Sequence, residues 1–231
     1  MQSSNTKMLK EMAEENQNSI EYEQDIYKQF SQEANRRRLE ADRLLEEASN
    51  VAIRNKTATN NFKQSTGSKR KQILALEQFA KENACWFSDY QLIGIYLEQG
   101  GENEVYYNPF SKSVFKLNDF AFAGDDVQRF FDRIKVHNLL FINVAYQIIG
   151  FAKNSKGLTC AVLEQAFIHA EREATEDEII NYMSSLGFVV NGSDDFSNGI
   201  YEVFDAVPNN VLVGKDANLY FFDTQINILS I

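Results

Sequence analysis

The sequence changes its character near residue 80, and this change limits the folds that the chain can adopt. The first 80 residues are rich in Glu, Gln, Asn, Lys and Arg, and they contain no proline and a single glycine, Gly67. From Trp86 onward, short apolar runs alternate with turn-forming residues, which is typical of strands joined by tight turns. The pattern predicts a charged, α-helical extension over residues 1–80 and an α+β domain over residues 81–231.

In the first half, apolar residues recur at roughly helical spacing: Ile20, Tyr27, Phe30, Ala34, Ala41, Leu44 and Ala48. We expect one or two long helices over residues 8–54, with a narrow apolar stripe that docks on the chain's own domain or on a second copy, giving a homodimer. A linker or helix break is expected over residues 55–69, followed by a helix from Lys71 to Glu82.

The second half predicts short strands and two further helices. One helix should run from Asp125 to Ile134, and another should begin at the capping box Thr175–Glu178 and stop at Gly187. Two or three short strands should finish the chain. The earlier strands are expected over Gln91–Leu97, Val105–Tyr107, Ser113–Leu117, Tyr146–Phe151 and Cys160–Ile168.

Composition excludes several classes of function. The net charge of −10 argues against a nucleic acid held through its phosphates, although magnesium can bridge an acidic site to a polyphosphate. Cys85 and Cys160 lack the spacing of a disulfide or metal motif, so a reducing, cytoplasmic setting is expected. There is no signal-like apolar segment or membrane-spanning run. His137 is expected to begin a loop and to make a structural hydrogen bond.

An acid, an amide and a second acid near the C-terminus are the most specific pattern for chemistry. Asp205 and Asn210 bracket a turn through Pro208, and Asp223 ends the apolar run Leu219–Phe222. Phosphoryl transfer requires a hydroxyl-orienting Asp together with a metal-binding Asn and Asp. The alternative is that these residues only satisfy their own backbone in turns.

Lys116 and a glycine pair lie upstream of that pattern. Lys116 stands in the middle of a predicted strand, so it lies either on the solvent face of an edge strand or in a cleft. Gly100 and Gly101 connect two predicted strands, where bare backbone N–H groups can approach phosphates. Most such turns are ordinary hairpins, so the glycines alone are weak evidence.

Together these segments resemble a protein kinase fold. Gly100–Val105 is similar to the glycine-rich loop, Val114–Lys116 to the strand of the phosphate-binding lysine, Val162–Gln165 to the adenine-reading hinge, and Asp205–Asn210 to the catalytic loop. Over about residues 85–231 the chain more closely resembles the kinase-like domain of polyvalent proteins from phages and conjugative elements of gut bacteria. The segments that carry this closer resemblance are 101–106, 137–141, 149–151 and 210–212.

The resemblance implies a compact, two-lobed fold with an N-lobe at about 88–163 and a minimal C-lobe at about 170–231. The C-lobe is expected to be truncated because eight residues follow Asp223. A platform for a peptide substrate is therefore not recognisable.

The resemblance also implies ATP and Mg²⁺ as cofactors and gives each residue a role. Lys116 would neutralise the α- and β-phosphates, and Asp205 would orient or deprotonate the accepting hydroxyl. Asn210 and Asp223 would hold magnesium. The remaining nucleotide-binding residues would be Gly100, Gly101, Glu164, Gln165 and an acid on the following helix that pairs with Lys116, for which Asp132 is the first choice and Asp126 the reserve.

The chain also departs from the kinase pattern. Glu98 and Asn103 stand where flanking glycines are usual, Val203-Phe204 replaces the His-Arg pair before the catalytic acid, and Thr224-Gln225 replaces Phe-Gly after the metal-binding acid. The short stretch after Asp223 is the most serious departure, and magnesium-nucleotide binding is expected to survive it more easily than protein phosphorylation.

The sequence favours an ATP- and Mg²⁺-dependent phosphotransferase that transfers a γ-phosphate to the hydroxyl of a protein, of the chain itself or of a small molecule. The alternative is a catalytically silent kinase-like module that binds nucleotide or a protein partner. A third hypothesis is a structural or assembly protein without a nucleotide site.

Overall fold

The computed structural model describes residues 28, 31–56, 62–89, 93–192 and 194–229. The chain forms two compact units, residues 1–43 and residues 44–231. Within the described residues, no helix is both long enough and apolar enough to cross a membrane.

The first helix, α1, spans residues 31–55. In the first unit its surface carries ion pairs one turn apart, such as Arg36 with Glu33 at 2.8 Å and with Glu40 at 3.1 Å. The helix expected over residues 8–54 is therefore confirmed from residue 31 onward. Apart from Lys28, which is helical, the remainder of that prediction lies outside the described residues.

The second helix, α2 (Phe62–Glu82), begins earlier than predicted. Residues 57–61 lie outside the described part of the chain, but the expected linker over residues 55–69 is wrong from Phe62 onward. The reason is packing: Ser68 and Gln72 are buried, and the Gln72 amide donates to the carbonyl of Ala52 in α1 at 3.1 Å. Such tertiary contacts outweigh the weak helix preference of the Ser-Thr-Gly-Ser segment.

A six-stranded sheet follows in the order β1-β5-β6-β4-β3-β2. Its strands are β1 (Trp86–Phe87), β2 (Ile95–Gln99), β3 (Asn103–Asn108), β4 (Ser113–Asn118), β5 (Gln147–Lys153) and β6 (Thr159–Ala166). All pairs are antiparallel except β1 with β5. The third helix, α3 (Gln128–Leu140), lies between β4 and β5 in the chain. It is longer at its C-terminal end than predicted, so His137 is helical and does not begin a loop.

The core of the second unit reaches upstream of residue 80. Its main cluster joins apolar residues of α1 and α2 to aromatic residues of α3 and the sheet: Leu45, Ala48, Ala52, Leu76, Ala80, Phe120, Phe130, Phe131 and Phe151. The compact unit therefore begins at Leu44, because the charged helices bury their narrow apolar stripe against this cluster.

The C-terminal part is built from two small sheets and the helix α4 (Glu176–Ser185). The strands are β7 (Ala170–Glu173), β8 (Val189–Val190), β9 (Phe196–Ser197), β10 (Tyr201–Phe204), β11 (Val211–Gly214), β12 (Leu219–Phe221) and β13 (Gln225–Ile228). One sheet has the order β13-β10-β9-β8 and the other β12-β11-β7. The prediction of two or three final strands was too low, because strands of two to four residues leave almost no alternating pattern.

The capping box at the start of α4 is confirmed. The hydroxyl of Thr175 accepts from the backbone N–H of Glu178 at 3.3 Å, and the Glu178 carboxylate accepts from the Thr175 N–H at 2.9 Å. This reciprocal pair satisfies two backbone donors that a helix start otherwise leaves open. The helix ends just before Gly187, whose φ of 83° suits glycine.

Two phenylalanines with opposite environments test this core. Phe131 is fully buried, whereas Phe110 is 95% exposed at the turn between β3 and β4. We expect Phe131→Ala to lower the free energy of unfolding by about 3–5 kcal/mol, because it removes a buried ring and leaves a cavity. The control, Phe110→Ala, should change it by no more than about 0.5 kcal/mol. Urea unfolding followed by circular dichroism measures both, and equal effects would contradict the assigned core.

Candidate active site

A cavity of about 370 Å³ opens between the six-stranded sheet, α3 and the segment that joins β12 to β13. Its apolar walls come from both sides of this space, for example Val105 and Val114 from the sheet and Leu212 from β11. Its polar lining includes Glu102, Lys116, Arg133, His137, Gln165 and Asp223. The volume is within the range of small-ligand sites.

Lys116 lies inside this cavity and not on a solvent face. It stands on β4, an inner strand that pairs with β3 and β6, and it is 6% exposed. Its ammonium donates to the Tyr146 hydroxyl, to the backbone carbonyl of Phe222 and to the Asp223 carboxylate, each at 3.0 Å. Of the two positions that the sequence leaves open for this lysine, the structure shows the cleft.

The contacts of Lys116 keep it charged despite its burial. Burial alone would lower the pKa of the ammonium, but Tyr146 and Asp223 outweigh that effect and hold the pKa above its ordinary value. The Tyr146 hydroxyl accepts a hydrogen bond from the lysine and donates one to the Phe222 carbonyl at 2.7 Å. The result is a fixed positive charge on the cavity wall.

Asp223 faces the same cavity with more than half of its side chain exposed. One of its oxygens, Oδ1, binds Lys116. Asn210 is held beside this segment, since its carbonyl accepts from the Phe222 N–H at 3.2 Å. The two predicted metal ligands, Asn210 and Asp223, thus belong to neighbouring backbone segments.

Asp205 is joined to Asn210 by a short turn. The Asn210 amide donates to the Asp205 carbonyl at 3.0 Å, and the chain between them forms a single 3₁₀ turn, Pro208–Asn210. Asp205 has φ 58°, a conformation that Asp and Asn adopt more readily than other non-glycine residues. Neither Asp205 nor Asn210 is among the residues that line the cavity. They connect to it through Phe222 and Asp223.

Gly100 and Gly101 line the cavity at the turn between β2 and β3. The turn closes through the Gly100 N–H, which donates to the Asn103 carbonyl at 2.8 Å. A Cβ atom at Gly101 would lie 3.0 Å from the ring of Phe122, so a larger residue there would require that ring to move.

The family model of the serine/threonine/tyrosine kinase found in polyvalent proteins matches residues 69–230, more than half of the chain. The chain belongs to this kinase family. No curated protein matches it.

The acid expected on the kinase helix as the partner of Lys116 is not where the sequence suggested. Asp132 accepts from Gln128 on its own helix at 2.8 Å, and Gln128 also binds Ser49 of α1. Asp132 therefore lies on the side of α3 that faces α1, one position from the residues that border the cavity. The pairing of Asp132 with Lys116 is a wrong prediction, and Asp223 occupies the lysine.

Asp126, the reserve choice, is also engaged elsewhere. Its carboxylate accepts from Gln72 at 2.8 Å and pairs with Lys56 at 2.7 Å. It therefore joins α1, α2 and the start of α3 and makes no contact with Lys116 among the described residues.

The hinge-like strand places its two predicted residues differently. Gln165 lines the cavity, and its amide donates to the Val144 carbonyl at 2.6 Å. Glu164 does not line it, because successive side chains on a strand point to opposite faces. The cavity is instead bordered by the residues that follow, from Ala166 to Ile168.

Tyr146 and His137 are site residues that the sequence interpretation did not assign to the site. Tyr146 follows a loop after α3, and nothing in its local pattern shows that it meets a lysine 30 positions earlier. His137 is 2% exposed, lines the cavity and contacts the Phe221 carbonyl through Nε2 at 3.1 Å. The expected structural hydrogen bond is thus present, on a helix and not at a loop.

Within the described residues, no cluster of three or more His, Cys, Asp or Glu side chains is arranged to hold a metal ion. The donors at hand are one carboxylate and one amide oxygen, from Asp223 and Asn210. Mg²⁺ is commonly held by one or two protein oxygens together with waters and substrate phosphates. Asp223 is open to such a role because its side chain faces the cavity and is 54% exposed, whereas Asn210 is buried and does not line the cavity.

His137 should make the free energy of unfolding depend measurably on pH. Burial lowers the pKa of His137 from 6.5 to about 4, so below about pH 6.5 the unfolded chain takes up a proton that the folded chain excludes. Stability should therefore fall as the pH drops from about 6.5 to about 4. We expect His137→Gln to remove about 2 kcal/mol of the loss in unfolding free energy between pH 7 and pH 5.

Urea unfolding at the two pH values measures this difference. His169→Gln is the matched control, because His169 is exposed and its removal should leave the wild-type pH dependence in place. An unchanged pH dependence in His137→Gln would mean that His137 is not buried as a neutral ring.

Proposed function

We propose that the chain binds ATP with Mg²⁺ in this cavity and transfers the γ-phosphate to a hydroxyl group. The observation that carries the proposal is the buried ammonium of Lys116, held 3.0 Å from the Asp223 carboxylate on the cavity wall. A fixed cation beside an oxygen ligand is the arrangement needed to hold and neutralise a nucleotide polyphosphate.

Lys116 would neutralise the α- and β-phosphates, while the backbone of the turn at Gly100 and Gly101 would approach them from the outer edge. The base would lie at the opposite side of the cavity, against the segment Ala166–Ile168. Phe167 would give that side an apolar ring, 39% exposed. Its N–H is taken by the Lys112 carbonyl at 3.0 Å, so the other backbone groups of the segment would meet an adenine edge.

Asn210 and Asp223 would hold magnesium, which supplies neutralisation of charge on the β- and γ-phosphates. Asp223 then contacts both the ion and Lys116. The backbone hydrogen bond between the Phe222 N–H and the Asn210 carbonyl keeps the two ligand segments together.

Asp205 would act on the acceptor. Its carboxylate takes the proton of the attacking hydroxyl as the acceptor oxygen forms a bond to the γ-phosphorus and the bond to the ADP oxygen breaks. The turn that ties its carbonyl to Asn210 fixes its distance from the metal ligands. The acceptor is a hydroxyl of a protein or of a small molecule.

We also infer a two-lobed arrangement for the kinase domain. One core cluster joins the six-stranded sheet and α3 to the helices α1 and α2, and a second lies within the sheet. Most of the strands from β7 onward share another cluster with α4 and with Val136 near the C-terminal end of α3. Separate cores support separate lobes, with the cavity where they meet.

A catalytically silent nucleotide-binding or protein-interaction module is the second candidate. The observation that favours it is that Asp205 does not line the cavity. In this alternative, Asp205 only stabilises the turn in which it lies. Nucleotide binding by Lys116 and Asp223 then has a purely structural or regulatory use.

Nucleotide binding is tested by thermal unfolding with and without ATP and Mg²⁺. At about 100 times its dissociation constant, the ligand should stabilise the wild-type chain by about 2.7 kcal/mol. Asp223→Asn should remove most of the magnesium-dependent part, whereas Asp216→Asn, in the turn between β11 and β12, should keep it. The absence of any shift for the wild type at millimolar nucleotide would sink both candidates.

Phosphoryl transfer is tested with ATP that carries a label in its γ-phosphate. We expect label on the chain or release of labelled phosphate by the wild type, and at least about a 100-fold lower rate for Asp205→Asn. Asparagine is the right replacement because Asp205 has φ 58° and Asn tolerates that conformation. A wild type that binds ATP but shows no transfer would select the silent module.

A further inference from the structure

Arg133 lies on the face of α3 that borders the cavity, and the proposed function leaves it without a role. Phe130, Ile134 and His137 line the cavity from the same helix face, at the spacing that one side of a helix requires. Arg133 is therefore a second cation that lines the cavity, on α3, whereas Lys116 lies on β4.

The contacts of Arg133 are long. Its guanidinium is 3.6 Å from the Glu102 carboxylate and 3.5 Å from the Gln225 amide oxygen. Charge-assisted hydrogen bonds of this type are usually about 2.7–2.9 Å. Its side chain is 18% exposed, so the guanidinium is largely shielded from water while these two contacts are long.

Two more polar atoms in the same lining have no partner. The Nδ1 atom of His137 and the hydroxyl of Thr224 are buried and make no hydrogen bond within the described residues. Both residues line the cavity, and Thr224 directly follows Asp223. Buried polar atoms are nearly always paired, so these two atoms are exceptions next to the cavity, although both are closed off from solvent.

We propose that Arg133 is a second polyphosphate-binding residue, and that Glu102 occupies its guanidinium until a polyphosphate enters. This inference rests on the proposed function, because it concerns the same cavity. Arginine binds phosphate through two parallel N–H donors, whereas lysine acts as a point charge. Lys116 and Arg133 together would therefore grip successive phosphates from two walls.

Glu102 connects this exchange to the glycine turn. It follows Gly101, its carboxylate accepts from the Phe122 N–H at 3.4 Å, and its carbonyl accepts from the Asp119 N–H at 3.0 Å. When a phosphate takes over Arg133, the Glu102 carboxylate loses its cation and is repelled by the ligand. The turn carrying Gly100 and Gly101 then responds to an occupied site.

The ligand class follows from the geometry. Arg133 should distinguish ligands by the number of phosphates and not by the base, because the base side of the cavity at Ala166–Ile168 is formed by another element. Inorganic tripolyphosphate should compete with ATP, whereas AMP should depend little on Arg133.

The test uses calorimetric titration of the full chain with ATP, AMP and inorganic tripolyphosphate, each with Mg²⁺. We expect Arg133→Gln to weaken ATP and tripolyphosphate about tenfold or more and to leave AMP within about twofold. Arg129→Gln is the matched control, because Arg129 is exposed on the same helix and does not line the cavity. Glu102→Gln should strengthen ATP binding several-fold, since it removes the competing anion.

Each outcome decides a separate point. A wild type that binds neither ATP nor tripolyphosphate refutes the proposed function and this inference together. A wild type that binds tripolyphosphate but not ATP, with binding lost in Arg133→Gln, supports the inference alone. ATP binding by Arg133→Gln equal to that of the wild type, or an equal loss for AMP, overturns the inference and leaves the proposed function standing.

Two further variants keep the proposal testable if Arg133→Gln fails to fold. Arg133→Lys retains the charge but loses the two-pronged donor, and it should give an intermediate affinity for tripolyphosphate. Unchanged or weaker ATP binding by Glu102→Gln would overturn the role of Glu102 as the competing anion.

Discussion

The charged, buried ammonium of Lys116 is the constraint on which the rest of the site depends. A lysine that is 6% exposed remains charged only if acceptors replace the water it has lost. Here the acceptors come from distant parts of the chain: Tyr146 after α3, and Phe222 with Asp223 after β12. The need to satisfy one cation therefore joins the six-stranded sheet to the C-terminal strands, and the cavity lies where they meet.

The same contacts extend to the turn of the predicted catalytic loop. Phe222 accepts from Lys116 through its carbonyl and donates to Asn210 through its N–H, and Asn210 donates in turn to Asp205. Each step ends on a backbone carbonyl, and the step from Phe222 to Asn210 joins two backbone groups, whereas Lys116 and Asn210 donate from their side chains. This series of hydrogen bonds explains how Asp205 and Asn210, which do not line the cavity, keep a defined position relative to Lys116.

The sequence predicted the residues in this series of hydrogen bonds better than it predicted their partners. Lys116 and Asp223 could be found because each stands at the edge or centre of an apolar run, and the turn from Asp205 to Asn210 has its own local pattern. Tyr146 and Arg133 could not, because their importance comes from side chains that converge across the fold. Asp132 was wrong because each residue turns a helix by about 100°, so Arg133 and Ile134 face the cavity and Asp132 does not, and the acid that binds Lys116 comes from outside α3.

The cavity also answers an electrostatic difficulty raised by the composition. A chain with a net charge of −10 repels a polyphosphate at a distance, so an anion must be bound by local charges. The cavity wall has two cations, and each is held by an acid that also faces the ligand space, Lys116 by Asp223 and Arg133 by Glu102. The two acids differ in exposure, because the Asp223 side chain is 54% exposed and could turn an oxygen to a metal ion, whereas the Glu102 side chain is 12% exposed. In the proposed function, one acid stays as a ligand and the other must move away, so the Glu102 turn is the part of the cavity expected to change when nucleotide binds.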